Sequence, residues 1–381
     1  MQESLKHRPV RRGTLLTHFI FTLSLLLVSA ATPLASRAEP PATSAPAAKT
    51  LIDYFQPTPI VGKLSKDVWG APGVLPRDPL NGLEDPTIQK FDYWDGQIIP
   101  SPDGKFHLFA SRWDHANGHG GWGHSVAIEA DSDNVIGPYV DKGMCWPNKR
   151  DGKGHNVTAL VMPDGRYAVI ASEIIPAEVY ASQSPDGPWQ SLGLITVKDQ
   201  PKWHGSNVTP MLRPDGQYMI VQRSGEIMLA KEIIGPYVIQ GPSIYKTVKG
   251  LPLKSLEDPT AWYSGGLYHM VVNSWSMRKA FHLTSEDGVT NWTFRGLAYD
   301  PTTDFIRYTD GTVNHWEKLE RPSVLLQNGH VTHFTFAAID IPKEQNKGDD
   351  HHGSKVIVVP FDGAAMDRDL AEVIKQEKAA K

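Results

Sequence analysis

The sequence predicts an all-β chain folded as a five-bladed β-propeller. The main observation is a Gly-containing turn followed by a run rich in Val, Ile, Tyr and Phe, which occurs five times: "SPDGKFHLFAS" (Ser101–Ser111), "MPDGRYAVIAS" (Met162–Ser172), "RPDGQYMIVQR" (Arg213–Arg223), "YSGGLYHMVVNS" (Tyr263–Ser274) and "LQNGHVTHFTF" (Leu326–Phe336). The turn glycines stand at 104, 165, 216, 266 and 329, so the repeat spacings are 61, 51, 50 and 63 residues. Each unit reads as a hairpin entering a buried strand. A second observation is a recurring end motif: "IGPYV" (Ile136–Val140), "DGPWQ" (Asp186–Gln190), "IGPYV" (Ile234–Val238) and "DGVTNWTF" (Asp287–Phe294). A third is a polar opening before each turn: "EDPT" (Glu84–Thr87), "HNVT" (His155–Thr158), "SNVT" (Ser206–Thr209), "EDPT" (Glu257–Thr260) and "ERPS" (Glu320–Ser323). A unit of about 50 residues and four strands cannot bury its own faces, so the units must pack radially. A β-sandwich and a right-handed β-helix are the rival architectures, and a β-helix repeat would be shorter.

Ahead of the repeats, residues 1–38 read as a signal peptide. A basic stretch through Arg12 precedes an apolar run from Leu15 to Ala31, and Ser36-Arg37-Ala38 suits cleavage after Ala38. The uninterrupted apolar core is shorter than the ~20 residues of a membrane span. Arg11-Arg12 is a weak twin-arginine feature, and no cysteine stands near the cleavage region to carry a lipid. Residues 39–49 form a Pro/Ala-rich linker. The expected location is therefore secreted or periplasmic, with no membrane attachment after signal removal. The propeller spans 50–362, where "TLIDYF" (Thr50–Phe55) is expected to complete a blade and "SKVIVVPF" (Ser354–Phe361) to supply the last outer strand. Residues 363–381 turn charged and helical, a peripheral tail.

Composition narrows the function. The formal charge of −4 over 381 residues hides a basic N-terminus: residues 1–38 carry five Lys/Arg and one Glu, and their removal leaves −8. An acidic body lacks the clustered Lys/Arg that a nucleic-acid surface needs. The single cysteine, Cys145, closes no intramolecular bridge and builds no Cys-rich zinc site.

In a propeller the openings of the innermost strands converge at one mouth of the central channel. That brings together Asp85, Asp258 and Glu320 with His155, Asn156, His204 and Asn207, and Arg321 stands beside Glu320. Such crowding pushes carboxylate pKa values apart, as acid–base chemistry on a glycosidic bond requires. An Asp-Pro pair is equally a good strand-entry turn, so a structural role for either Glu-Asp-Pro-Thr copy stays open. Asp103, Asp164 and Asp215 belong to Asp-Gly turns and read as structural. Two insertions, Arg112–Ser125 and Ala298–Pro322, are dense in His, Trp and Asp and map to loops of the binding face. Trp94, Trp113, Trp122 and Trp316 are expected to stack on sugar rings, with His124 among the binding groups, whereas Trp189 and Trp292 read as core. His115, His119 and His124 lack a helical i, i+4 frame, and His351-His352 lie beside Asp349-Asp350. No metal site is assigned from them. A structural divalent cation in the channel, at His333 or His155, stays open, and no cofactor is required.

With these residues in place the chain resembles the five-bladed propeller glycoside hydrolases of family 43 and its relatives over about 50–362. The resemblance implies Asp85 as general base, Asp258 as the acid that tunes pKa and orientation, and Glu320 as general acid. The later acids fall in blades four and five, and with "NHWEKLERP" (Asn314–Pro322) this looks more like family 117, the anhydro-galactosidases. That likeness makes His315 the rival of Glu320 for the acid role. It also implies a homodimer built on an N-terminal helical segment, although residues 56–80 contain Pro and Gly and do not read as a helix pair. The expected activity is removal of a terminal galactose, anhydro-galactose or arabinose from an oligosaccharide, with inversion. The alternatives are a non-catalytic carbohydrate-binding propeller and a lyase using His155, His204 and His315.

Overall fold

The computed structural model describes residues 49–65, 74, 76–87, 89–348 and 351–380, and the expected signal peptide and most of the linker lie outside them. Five antiparallel sheets form the blades. Blade one is β1 (Phe91–Pro100), β2 (Phe106–Asp114), β3 (Val126–Ser132) and β4 (Val140–Met144). Blade two is β5 (His155–Val161), β6 (Tyr167–Ser172), β7 (Glu178–Ser182) and β8 (Gln190–Leu194). Blade three is β9 (Thr209–Leu212), β10 (Tyr218–Val221), β11 (Ile227–Ala230) and β12 (Val238–Ile239). Blade four is β13 (Leu256–Ser264), β14 (Leu267–Ser274), β15 (Lys279–Ser285) and β16 (Thr293–Tyr299). Blade five has three strands, β17 (Lys318–Gln327), β18 (His330–Ile339) and β19 (Ser354–Pro360).

The repeat works because each blade meets the same local demand. The turn glycines 104, 165, 216, 266 and 329 all take φ between 79° and 88°. A Cβ there would meet nothing at any of the five, so the constraint is the backbone angle and not space. The inner strands β1, β5, β9, β13 and β17 contact one another in sequence, and β17 returns to β1. Apolar side chains from facing blades fill each gap: Ile98, Leu108 and Ile128 meet Leu325, Val356 and Val358 between blades one and five. Phe109 and Ala127 meet Val169 and Tyr180 between blades one and two, and the other three gaps are filled in the same way. Burial at ~25 cal/mol per Å² in five such layers makes the ring the main source of stability.

One flanking segment differs from the strand expected of it, and the other is the helix expected of it. Leu51–Tyr54 forms a short 3-10 turn, and Thr50–Phe55 joins blade five through one Phe55–Phe361 bridge instead of a full strand. Leu51 and Tyr54 are buried in the layer between blades four and five. The C-terminal segment forms helix α1 (Gly363–Ala379), capped by Asp362 and pinned by buried Asp367, which accepts from Ser264 and pairs with His330. No helix among the described residues is long and apolar enough to cross a membrane.

Candidate active site

The site is built on one backbone position used five times. Asp95, Asn156, Asn207, Asp258 and Arg321 open the inner strands with φ of 68°, 50°, 50°, 52° and 49°. A left-handed non-Gly residue is uncommon, Asn and Asp tolerate it best, and such strain concentrates at functional sites. In four blades the strand register shifts beside it, between Asp95 and Gln97, His155 and Thr158, Glu257 and Thr260, and Glu320 and Ser323. These bulges turn the side chains of Asp95, Asn156, Asp258 and Arg321 inward, and Asn207, just ahead of β9, joins them by donating to Asp258.

Arg321 lies at the centre. Its Nε donates to Asp95 Oδ1 at 2.8 Å, and its Nη1 reaches Asp258 Oδ1 at 3.5 Å. Asp95 Oδ2 also accepts from the Val157 amide at 2.9 Å and from Ser111 Oγ. Asp258 accepts from Asn207 Nδ2 and from the Arg321 amide at 3.3 Å. All of these groups are buried.

Next to Asp258 stand Glu257 and Glu320, and one carboxylate oxygen from each of the three lies within 4.8 Å of the others. Burial, then the charges of Asp258 and Glu320, push the Glu257 carboxyl up to about 8, with Arg223 opposing. Burial also raises Asp258 against the pull of Arg321. Glu320 Oε2 receives Lys343 Nζ, Lys318 Nζ lies 3.7 Å from Oε1, and Oε1 is sealed from solvent without a hydrogen-bond partner. Burial alone would lower the Lys343 pKa, but Glu320, Asp258 and Glu257 outweigh it and raise it, so the ammonium persists.

These groups floor a cleft of about 390 Å³. Its walls include Trp94, His119, Trp122, His155, Glu173 and Arg223. His155 Nδ1 bonds Ser125 Oγ at 2.9 Å, and burial lowers its pKa to about 4, so the imidazole is neutral. His119 and Trp122 come from the insertion after β2, and Lys343 and Glu344 from the loop after β18. The two loops lock together: a Cβ on Gly118 would lie 2.3 Å from Asn346 O, and one on Gly348 would lie 2.2 Å from His115 O.

Of the residues expected from sequence, Asp258, Glu320, Arg321, His155, Asn156, Asn207, Trp94 and Trp122 line this cleft. Six others do not. Asp85 lines a separate cavity of about 910 Å³ beside blade one. Its carboxylate accepts from the amides of Thr87, Gln89, Lys90 and Phe91 and from Thr87 Oγ1, which makes it the cap of the loop entering β1. Burial would raise its pKa, but the bonds from Thr87, Lys90 and Phe91 outweigh that and lower it. His315 is bound to Asp304 at 2.9 Å on a partly exposed loop away from the cleft. Trp316 is buried in the layer between blades four and five. Trp113 is buried behind His119 and donates to Gly118 O at 2.9 Å. His124 and His204 are exposed and off the cleft. The His115, His119 and His124 group is dispersed, because His115 faces Asp92 at 3.3 Å while His119 packs between Trp94 and Trp113. His352 bonds Asp340 at 2.6 Å, and Asp349-Asp350 lie outside the described residues. His333 contacts Thr332 on β18, and among the described residues it belongs to no cluster of metal-binding groups.

The residues missed by sequence reasoning are Asp95, His119, Glu173, Arg223, Glu257, Lys343 and Glu344. Asp95 carried a usable signal: it stands nine residues before Gly104, as Asn156 stands before Gly165 and Asn207 before Gly216. Asp258 and Arg321 stand eight before Gly266 and Gly329, whereas Asp85 is nineteen residues from its turn.

No protein-family model matches the sequence, and no curated protein matches it. Solved structures do match the fold. A family 117 glycoside hydrolase of the marine bacterium Zobellia galactanivorans superposes with a TM-score of 0.53 at 15% identity, over 74% of this chain and 88% of that one. A family 43 β-xylosidase/α-arabinofuranosidase from a compost microbial metagenome, solved in complex with xylotriose in a calcium-free form, gives 0.50 at 14% identity, over 74% and 94%. The chain shares the five-bladed β-propeller fold of these glycoside hydrolases of families 117 and 43.

Proposed function

We propose that the protein is a glycoside hydrolase that removes a terminal sugar from an oligosaccharide by acid–base catalysis. The observation that carries this reading is the buried Glu257–Asp258–Glu320 cluster at the floor of the cleft, facing Asp95 across the Arg321 guanidinium. Burial and the neighbouring carboxylates hold a proton on Glu257 at neutral pH, so Glu257 is the proton donor to the leaving oxygen, with Glu320 beside it setting the charge. Asp95 occupies the blade-one position of the ring and takes the base role that the sequence likeness gave to Asp85. Asp258, bonded by Asn207 and Arg321, is a positioning residue. The guanidinium between Asp95 and the cluster supports the wide carboxyl separation, roughly 6.5–9.5 Å, of an inverting hydrolase. The small volume of the cleft, near the lower end of typical ligand sites, favours a chain end over a long polymer. Export to the periplasm or exterior is part of the same proposal, resting on residues 1–38.

The test is release of monosaccharide from oligosaccharides ending in galactose, anhydro-galactose, arabinose or xylose. Glu320→Gln and Glu257→Gln are expected to lower kcat about 10²–10⁴-fold with the fold retained. Sugar binding with no cleavage of any of these substrates would replace the hydrolase with a binding propeller. An ultraviolet-absorbing unsaturated product would replace it with a lyase.

A further inference from the structure

We propose that His119 is the residue through which the cleft reads a hydroxyl group of an uncharged sugar. The inference rests on the hydrolase reading for its substrate class but on separate observations for the residue. His119 lines the cleft, yet among the described residues no group bonds either of its ring nitrogens. Nδ1 is sealed from solvent, which leaves Nε2 as the atom that faces the cleft. The side chain is nine-tenths buried, and Nε2, which has no protein partner among the described residues, has only the cleft from which to gain one.

Its placement is rigid. The ring stands edge-on to Trp94, with centroids 5.0 Å apart, and to Trp113, at 5.7 Å. Gly118 before it is pressed against the Asn346 carbonyl, and Gly121 after it against the Trp113 ring. Burial, then the nearby Lys343 charge, hold its pKa well below the ordinary histidine value, so it enters the cleft as a neutral imidazole. A neutral, fixed ring nitrogen in a cleft whose wall also carries the partly exposed Trp122 is a combination that can read a hydroxyl on a stacked sugar ring.

The charges around it select against anionic sugars. Two of the three cations lining the cleft are held by a carboxylate, Arg321 by Asp95 at 2.8 Å and Lys343 by Glu320, and the third, Arg223, lies at the exposed rim 2.9 Å from Glu257, whose carboxyl is raised to about 8. Glu173, bonded by Asn156 and Ser206, adds a further negative group. A uronic or sulfated sugar would meet these acidic groups with Arg223 alone to offset them.

The experiment titrates the full-length protein with methyl galactoside, arabinoside and xyloside, with their mono-deoxy analogues, and with galacturonate, following tryptophan fluorescence. The wild type is expected to bind a neutral glycoside and to lose roughly ten-fold in affinity for one mono-deoxy analogue. His119→Phe keeps the aromatic wedge. It is expected to bind the parent as weakly as that analogue and to lose the preference at that hydroxyl alone. His119→Gln, which retains a hydrogen-bonding group, should restore part of the preference and stands in if His119→Phe fails to fold. Unchanged hydroxyl preference in the variants, equal loss for every analogue, tighter binding of galacturonate than of the neutral glycosides, or no binding by the wild type would each overturn the inference. Cleavage measured in parallel separates the two readings. Turnover with unchanged hydroxyl preference removes only the His119 role, whereas preference without turnover removes only the hydrolase.

Discussion

Arg321 Nε and Asp95 Oδ1 meet at 2.8 Å, so the same ring position of the last blade and the first is joined through the channel axis. The two residues are 226 apart in sequence, and both are almost fully buried. The pair therefore links closure of the ring to the electrostatics of the cleft. Arg321→Met leaves Asp95 and Asp258 as uncompensated buried carboxylates, and it should cost about 3–5 kcal/mol in chemical denaturation. Combining Arg321→Met with Asp95→Asn should recover part of that loss, because a neutral amide at position 95 no longer needs the cation.

Asp85 and Asp95 should separate cleanly. Asp95→Asn is expected to lower kcat about 10²–10⁴-fold. Asp85→Asn should leave kcat within about two-fold and cost about 1–3 kcal/mol, because it weakens the acceptor of five loop hydrogen bonds. The folded-state pKa of Asp85 is depressed, so its contribution is present above the ordinary carboxylate range and lost as pH falls through the folded value. Melting curves of wild type and Asp85→Asn should therefore converge at acid pH. Loss of kcat in Asp85→Asn would return it to the mechanism.

The sequence made the ring legible and misplaced one member of it. Strand, turn and blade number follow from local demands: a φ that glycine satisfies and alternation that buries one face. Two identical Glu-Asp-Pro-Thr stretches then drew Asp85 into the site, although only Asp258 holds the ring position. The copy at 84–87 uses the same chemistry, a carboxylate collecting amides, to cap a loop. Lys343 and His119 were out of reach for another reason. They arrive on loops outside the repeat, and their place depends on the packing of Gly118 and Gly348 against the facing backbone. Trp316 and Trp122 both lie in aromatic-rich insertions, and burial alone distinguishes them.

That difference is itself testable. Trp122→Ala is expected to raise KM about ten-fold with little change in stability, because the ring is 37% exposed on the cleft wall. Trp316→Ala should cost about 3–5 kcal/mol through a cavity between blades four and five and leave KM unchanged.

The pH dependence should follow Glu257. Its carboxyl is raised from 4.5 to about 8, so between these values the folded protein binds a proton that the unfolded chain releases. Stability should therefore fall as pH rises through that window, and Glu257→Gln should flatten the slope. Activity should decline above about pH 8 as Glu257 loses its proton. A wild-type rate that stays flat to pH 10 would take the cluster out of the acid role.

The anomeric outcome decides which carboxylate is the base. Within the cluster the oxygens lie inside 4.8 Å, too close to hold a nucleophilic water between the carboxyls and the sugar carbon. A reaction run by Glu257 and Glu320 alone would pass through a glycosyl-enzyme and retain configuration. Asp95 stands on the other side of the Arg321 fork, and its proposed base role requires that substrate binding admit a water there, on the face opposite the proton donor. Proton NMR of the first-released sugar is therefore expected to show inversion. Azide should restore turnover to Asp95→Asn and give a glycosyl azide of inverted configuration, since a small anion replaces the activated water without needing a base. A retained product would move the second catalytic role from Asp95 into the Glu257–Glu320 pair and leave Asp95 as the counter-charge that holds Arg321.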